Sequence, residues 1–400
     1  MGHPEGAAIR TRNLENDIDP KTGTVRRIET LGEKLSGDGV PWMMQAGMTA
    51  VGVAIMATAA PALLLVAVPV AAGIGTYLNR QADASIKELT RGNYTEGNTI
   101  YRRYNIDTQH GAMLMAQKYG IKGETFITEY KALAKMAGLK QAPALLMMEP
   151  RIRIRNAAAI VRQPPRREAM NAFAISCSDG SHAAVAVGDM FFEELSMAEI
   201  RATIAHELTH IRGQHSRMRS FGILTQIANT VAAVGVVASA VIGGMAVLPA
   251  LGIAVTMYGV TKSAQVMQAR YHEKVCDRAA GVISGAPQAL ASAFKTMEKA
   301  ALRIRQEREN LRARMHGRAP DKAPTQPPLL KRLLADHPDD AIRIGLLEGT
   351  FQAHSLSFWR QRQQCLTQAF NECAAQGPAS RPMPSPTAEQ VGFLRFGQTR

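Results

Sequence analysis

Aromatic residues make up only 5% of this chain. That scarcity argues against a base-stacking platform of the kind that holds single-stranded nucleic acid. Cysteine is sparse as well: Cys177, Cys276, Cys365 and Cys373 are the only four, and their spacing matches neither a zinc finger nor a disulfide scaffold. Reduced thiols in a cytosolic soluble part account for them most simply, with Cys365 and Cys373 placed to share and pack one helix face. Charge is missing altogether from two long stretches. Residues 43–78 contain no Asp, Glu, Lys or Arg, and neither do residues 220–261.

A helix of about 20 apolar residues crosses the hydrocarbon core of a bilayer. The second stretch is therefore long enough for two spans, turning near Gly243–Pro249. The first is tight for two, and Pro61 and Pro69 mark its bend. Arg26, Arg27 and Lys34 precede the first stretch, and Arg80, Lys87 and Arg91 follow it; Arg212, Arg217 and Arg219 precede the second, and Lys262 and Arg270 follow it. Basic residues at every flank, with none at either midpoint, predict two hairpins whose ends all face the cytoplasm. A re-entrant first segment is the alternative. The net charge of +14 is spread along the chain and accompanies no nucleic-acid-binding motif, so a lipid surface fits it better than DNA or RNA.

What the chain does contain is "IAHELTHIRG" at 204–213. His206 and His210 stand four apart, so on a helix both imidazoles project from one face and can reach one ion. Glu207 lies beside them, where it can take a proton from water at a catalytic zinc. Two chance histidines on an amphipathic helix are the bland account, but roughly 0.01 such matches are expected in a chain of this composition. Ser196 and Glu199 have the spacing of a capping box and open the helix. Beyond the second apolar stretch, "YHEKVCDRAAG" at 271–281 places Glu273 and Asp277 four apart on a further helix. Glu273 can complete a two-histidine, one-carboxylate zinc site, and Asp277 can accept a hydrogen bond from a ligand histidine. A solvated helix face has the same pattern. His272 points away from that pair and reads as structural or surface.

Five segments in order, over residues 128–348, carry a resemblance. They are "LAKMAGL" at 133–139, "MNAFAI" at 170–175, "AAVAVGDMFFEELSMAEIRATIAHELTHI" at 183–211, "YHEKVCDRAAG", and "HPDDAIRIGLLE" at 337–348. Together they resemble the HtpX family of membrane-embedded zinc metallopeptidases, relatives of the CAAX prenyl endopeptidases. The resemblance implies an α+β, zincin-like metallopeptidase domain, a small sheet plus zinc-binding helices, carried with two hydrophobic transmembrane hairpins. It implies one Zn2+ per chain on His206, His210 and Glu273, and peptide hydrolysis by zinc-bound water with Glu207 as general base. It also makes His337 and Arg343 candidates for stabilising the oxyanion. His337-Pro338 capping the following helix, and Arg343 pairing with Asp277 or another acid, are the competing readings.

"AISCSDGSHAAVAVGD" at 174–189 reads as two strands around a turn at Asp179-Gly180. An exposed edge there could pair with an extended substrate, which makes Asn171, Ala172, Phe173, Ala183 and Val185 candidate substrate contacts. The expected organisation is an N-terminal cytoplasmic tail (1–41), a first membrane segment (42–78), and a first peptidase part with the Asn-Ala-Phe-Ala strand and zinc helix (79–219). A second membrane hairpin (220–261), a second peptidase part (262–350) and a Pro-rich, partly disordered extension (351–400) follow. The resemblance places the chain in a bacterial inner membrane as a multi-pass protein, its peptidase domain cytoplasmic. The implied substrates are misfolded or damaged membrane proteins, the surroundings are lipid, and no nucleic acid is involved. A prenyl-protein endopeptidase and a catalytically silent zinc-containing scaffold are the alternatives. Oligomeric state and cleavage preference are not legible.

Overall fold

The computed structural model describes residues 15–90, 101–150, 171–177, 179–242, 247–317, 319 and 338–376. Two long helices come first, α1 (Val40–Ala59) and α2 (Pro61–Thr90), parted at Ala60. Proline disfavours helical backbone in the residue before it, and Ala60 accordingly leaves the helical region (φ −156°, ψ 74°). Strand β1 (Tyr101–Asn105), helices α3 (Gln109–Tyr119) and α4 (Ile121–Met136), and strands β2 (Ala144–Pro150), β3 (Ala172–Ser176) and β4 (Ala183–Gly188) follow. Then come helices α5 (Met197–Arg212), α6 (His215–Ile242), α7 (Val247–Ser284), α8 (Pro287–Met315), α9 (Asp340–Gln352) and α10 (Leu356–Ala375).

The sheet order is β1-β2-β4-β3, with β2 and β4 parallel and both outer pairs antiparallel. Alternation sends Leu145, Met147, Val185 and Val187 into the main core with α4 and α5, while Ala144, Leu146, Met148, Ala184 and Ala186 pack with Phe173 and Ile175 on the other face. Ser196 caps α5 as its spacing predicts. Glu199 Oε2 accepts from the Ser196 backbone amide at 2.8 Å, and Ser196 Oγ accepts from the Glu199 amide at 3.3 Å.

The apolar helices form a bundle. Thr49 meets Asn229 and Met56 lies against Gly235, so α1 and α6 run in the same direction. Gly75 lies against Leu224 while Ala67 packs near Met56 and Ala232, so α2 returns. Asn229 pairs with Thr261 and Gln226 with Gln265, so α7 returns along α6. Two hairpins result. At their shared centre Thr49 Oγ1 donates to Asn229 Oδ1 (2.6 Å) and Asn229 Nδ2 donates to Thr261 Oγ1 (2.7 Å), satisfying polar groups that hydrocarbon could not. Among the described residues, helical segments 31–58, 222–242 and 247–284 are long and apolar enough to cross a membrane.

Several elements run across the expected divisions of the chain. Helix α2 continues through residues 79–90, and Lys87 reaches within 3.9 Å of Asp179 at the β3–β4 turn. Helix α7 is a single 38-residue element, so the returning apolar span and the Glu273–Asp277 segment are one rod. Residues 15–39, the described part of the expected N-terminal tail, pack on the domain: Val25 and Ile28 enter the core, and Arg278 Nη1 donates to Glu33 at 2.8 Å. Within the expected extension, residues 356–375 form α10, which buries Trp359, Leu366, Ala369 and Cys373 against the same core. Buried Cys373 and partly buried Cys365 are free thiols that serve packing. Residues 377–400 and the basic segment 151–168 lie outside the described residues.

Helix α10 supplies a stability prediction. Trp359 is 5% exposed and donates its indole N–H to the Phe351 carbonyl at 3.1 Å. Truncating it to alanine should cost about 3–5 kcal/mol, read from denaturant unfolding in detergent. A loss under about 1 kcal/mol would show α10 to be dispensable to the core.

Candidate metal centre

Helix α5 presents His206 and His210 one turn apart toward α7, which presents Glu273 and Asp277 one turn apart in return. The two Nε2 atoms are 3.1 Å apart. Glu273 Oε2 lies 3.4 Å from His206 Nε2, and Glu273 Oε1 lies 3.4 Å from His210 Nε2. Ligand atoms on a tetrahedral ion at about 2.0–2.1 Å are about 3.3 Å from one another, so this triangle already has the dimensions of three corners of a zinc site.

The electrostatics agree. His206 Nδ1 lies 2.9 Å from Asp277 Oδ1, an ion-pair contact that favours a proton on Nδ1 and leaves Nε2 facing Glu273. Burial opposes a charged imidazole, yet hydrogen bonds to Asp277 and Glu273 outweigh it and lift the His206 pKa to about 10. A place that pulls so hard on a proton calls for positive charge where the three ligand atoms converge. Two imidazoles and one carboxylate are a donor set suited to zinc.

Glu207 is buried beside the triangle, and burial raises its carboxyl above the ordinary range while His206 and His210 pull it back down. The Ala174 backbone of β3 hydrogen-bonds to it, so the sheet edge and the acid are tied together. Arg343, from α9, donates from Nε to Asp277 Oδ2 and from Nη2 to Asp277 Oδ1, both at 2.7 Å. Its Nη2 also lies 3.2 Å from Glu273 Oε2, and the guanidinium sits 4.0 Å from the centre of the Phe294 ring.

Of the sequence candidates, His206, Glu207, His210, Glu273, Asp277 and Arg343 come together. Arg343 does so in the ion-pair alternative: its recorded partners are the two carboxylates and Phe294, so a place as an oxyanion donor is not what its geometry gives. His337 lies outside the described residues. Asn171, Ala172 and Phe173 open β3, the sheet's outer strand, and the Asn171 carbonyl accepts from the Gly188 amide at 2.9 Å. Val185 is a correction. It lies on β4, an inner strand, and pairs with Leu145 on one side and Ala174 on the other, so an added strand has nothing to bond there. Ala183 opens the same strand and pairs with Ser176 of β3.

Sequence reasoning missed His215, which is buried 3.1 Å from His210, Nδ1 to Nδ1. Its signal was a third histidine following the motif across Gly213-Gln214, where the helix has to break. Burial, then the neighbouring His272 and His210, keep the His215 pKa well below that of a free imidazole. His272 is structural, as expected, with Nε2 2.7 Å from Asp38 Oδ1.

A parallel-and-antiparallel sheet packed on a His-Glu-x-x-His helix, with a carboxylate from a later helix closing the triangle, defines a zincin-like fold. The model of peptidase family M48 matches residues 144–350, which takes in every one of these ligands, and the chain belongs to that family. It is 35% identical over 143 residues to a "Protease HtpX homolog" of Burkholderia multivorans, covering 34% of this chain and 49% of that protein. A protein of the same description from Ralstonia nicotianae is 36% identical over 143 residues, 34% of this chain and 48% of its own. The chain thus spans about half the length of the curated relatives it matches. No solved structure matches it significantly.

Proposed function

We propose that this chain is a membrane-anchored, zinc-dependent endopeptidase. The carrying observation is the triangle of His206, His210 and Glu273, with ligand atoms 3.1–3.4 Å apart and Glu207 buried next to it. These three side chains would hold one Zn2+, which when bound supplies Lewis acidity and makes water a competent nucleophile near neutral pH. Glu207 takes the proton from the attacking water on its carboxylate and hands it to the departing amine. A carboxyl raised by burial accepts and releases a proton more evenly than an exposed one. Asp277 holds His206 in its ligating tautomer, and Arg343 holds Asp277.

The outer strand β3, tied to Glu207 through Ala174, is the edge along which an extended polypeptide would add as a further strand, using Asn171, Ala172 and Phe173. The apolar hairpins and their basic flanks support a multi-pass protein of a bacterial inner membrane with this domain in the cytoplasm. The relatives' names say protease and no more; the substrates that fit a cytoplasmic site on a membrane anchor are misfolded or damaged membrane proteins cut at cytoplasmic loops.

Chelation tests the metal. Incubating the detergent-purified chain with excess 1,10-phenanthroline should abolish cleavage of unfolded casein, and restoring zinc should return it. Undiminished cleavage by protein shown by mass spectrometry to carry no metal would overturn the proposal.

A further inference from the structure

His215 stands outside the triangle, and nothing in the proposed chemistry uses it, yet the backbone goes out of its way to deliver it. Helix α5 ends at Arg212, and within three residues α6 begins. Gln214 breaks the helix at φ 55° and is the only left-handed non-glycine among the described residues. Such conformations are sparsely populated and persist at functional sites where the surroundings impose them. Gly213 has no freedom to be larger, because a Cβ there would lie 2.4 Å from His215 Nε2. The result is that the His215 ring lies against the zinc helix, 5% exposed, with its Nδ1 3.1 Å from His210 Nδ1.

Two further contacts fix the ring in that place. His272 stacks on it, centroids 4.0 Å apart and planes 4° from parallel, and is itself pinned by Asp38, which also accepts from Gln268 Nε2 at 3.0 Å. Cys276 Sγ lies 3.4 Å from the same Nδ1. The tautomers then follow by elimination. An imidazole that gives Nε2 to a metal must carry its proton on Nδ1, and that N–H needs an acceptor when buried. For His206 the carboxylate beside Nδ1 is Asp277, 2.9 Å away. For His210 the only partner among the described residues at hydrogen-bond distance of Nδ1 is His215 Nδ1.

We infer that His215 is the positioning residue of His210: its Nδ1 accepts the His210 Nδ1–H and so holds Nε2 of His210 toward Glu273 and His206. The two histidine ligands are thereby oriented by unlike partners. A carboxylate on His206 makes that imidazole the stronger donor, while a neutral imidazole on His210 leaves it the weaker one. The inference rests on His210 being a metal ligand, and a metal-binding measurement separates the two claims without recourse to peptidase activity.

The experiment compares the full chain in detergent as wild type, His215→Ala, His215→Asn and His210→Ala. Zinc affinity is read by competition with a chromophoric chelator, and ligand geometry by the visible spectrum of the cobalt-substituted protein. His215→Ala should bind zinc 10- to 100-fold more weakly with an altered cobalt spectrum. His215→Asn places an amide oxygen near the former Nδ1 and should recover affinity to within a few-fold and restore the spectrum. A purely packing role would instead lower the unfolding temperature of both variants and leave zinc affinity alone, which would overturn the inference. So would two metals per chain with a thiolate-to-cobalt band lost in Cys276→Ala, since His210, His215 and Cys276 would then be ligands of a second ion. If wild type and His210→Ala bind zinc equally weakly, the metal-centre reading fails and this inference with it.

Discussion

Replacing Glu207 by glutamine should lower peptide cleavage by about 10²- to 10⁴-fold while leaving about one zinc bound per chain. Glutamine keeps the size of the side chain and can still face the Ala174 backbone, so the wall between α5 and β3 survives. What it loses is the ability to take a proton, and no other described carboxylate can substitute. Glu273 is committed to His206 and His210, and Asp277 to His206 and Arg343. The measurement is metal content by mass spectrometry beside casein hydrolysis, for wild type and Glu207→Gln prepared in parallel. Equal zinc with cleavage only in the wild type supports a working hydrolase. Equal zinc with no cleavage in either, against any unfolded protein, favours the silent scaffold instead. Cleavage by the glutamine variant at the wild-type rate would remove Glu207 from the chemistry altogether.

The residues legible in advance were those whose meaning is local. His206, Glu207 and His210 announce themselves because the period of one helix decides which of them share a face, and Ser196 with Glu199 announces the start of that helix in the same way. The hairpins were legible because a run without charge has few places to go other than lipid. Whatever depended on distant segments meeting was not. The 15–39 stretch has no clear periodicity, and its place follows from single polar contacts, Asp38 to His272 and Glu33 to Arg278, that no spacing rule encodes. Helix α10 has a weak signal of its own, and its burial depends on the groove presented by α4 and α7. Val185 was misplaced because alternation identifies a strand without saying whether it lies inside the sheet or at its rim. His215 escaped because it lies beyond the end of α5, where helical spacing no longer applies, and the left-handed break at Gln214 is a property of backbone rather than of pattern.

Arg343 should prove structural in the metal-free protein and far less so with zinc bound. Asp277 is fully buried, and both its oxygens accept from the Arg343 guanidinium at 2.7 Å, with Glu273 another 3.2 Å away. Replacing Arg343 by methionine fills much of the same space over Phe294 but strands two carboxylates without their principal cation. Removing one partner of a buried ion pair costs about 3–5 kcal/mol, because the remaining charge has lost its compensation and cannot regain water. Zinc at the triangle would restore positive charge to that cluster, so the deficit should shrink when the ion is present. The expected result is therefore an interaction: the stabilisation gained on adding zinc is larger in Arg343→Met than in wild type. Adding Asp277→Asn to Arg343→Met should recover part of the loss, since it removes the charge that was left exposed to the apolar surroundings. Unfolding of the four proteins in detergent, each with and without zinc, reads every term. Additive effects at Arg343 and Asp277, or a zinc increment indifferent to Arg343, would mean that the guanidinium acts elsewhere, and its candidacy as a donor to the substrate's oxyanion would then return.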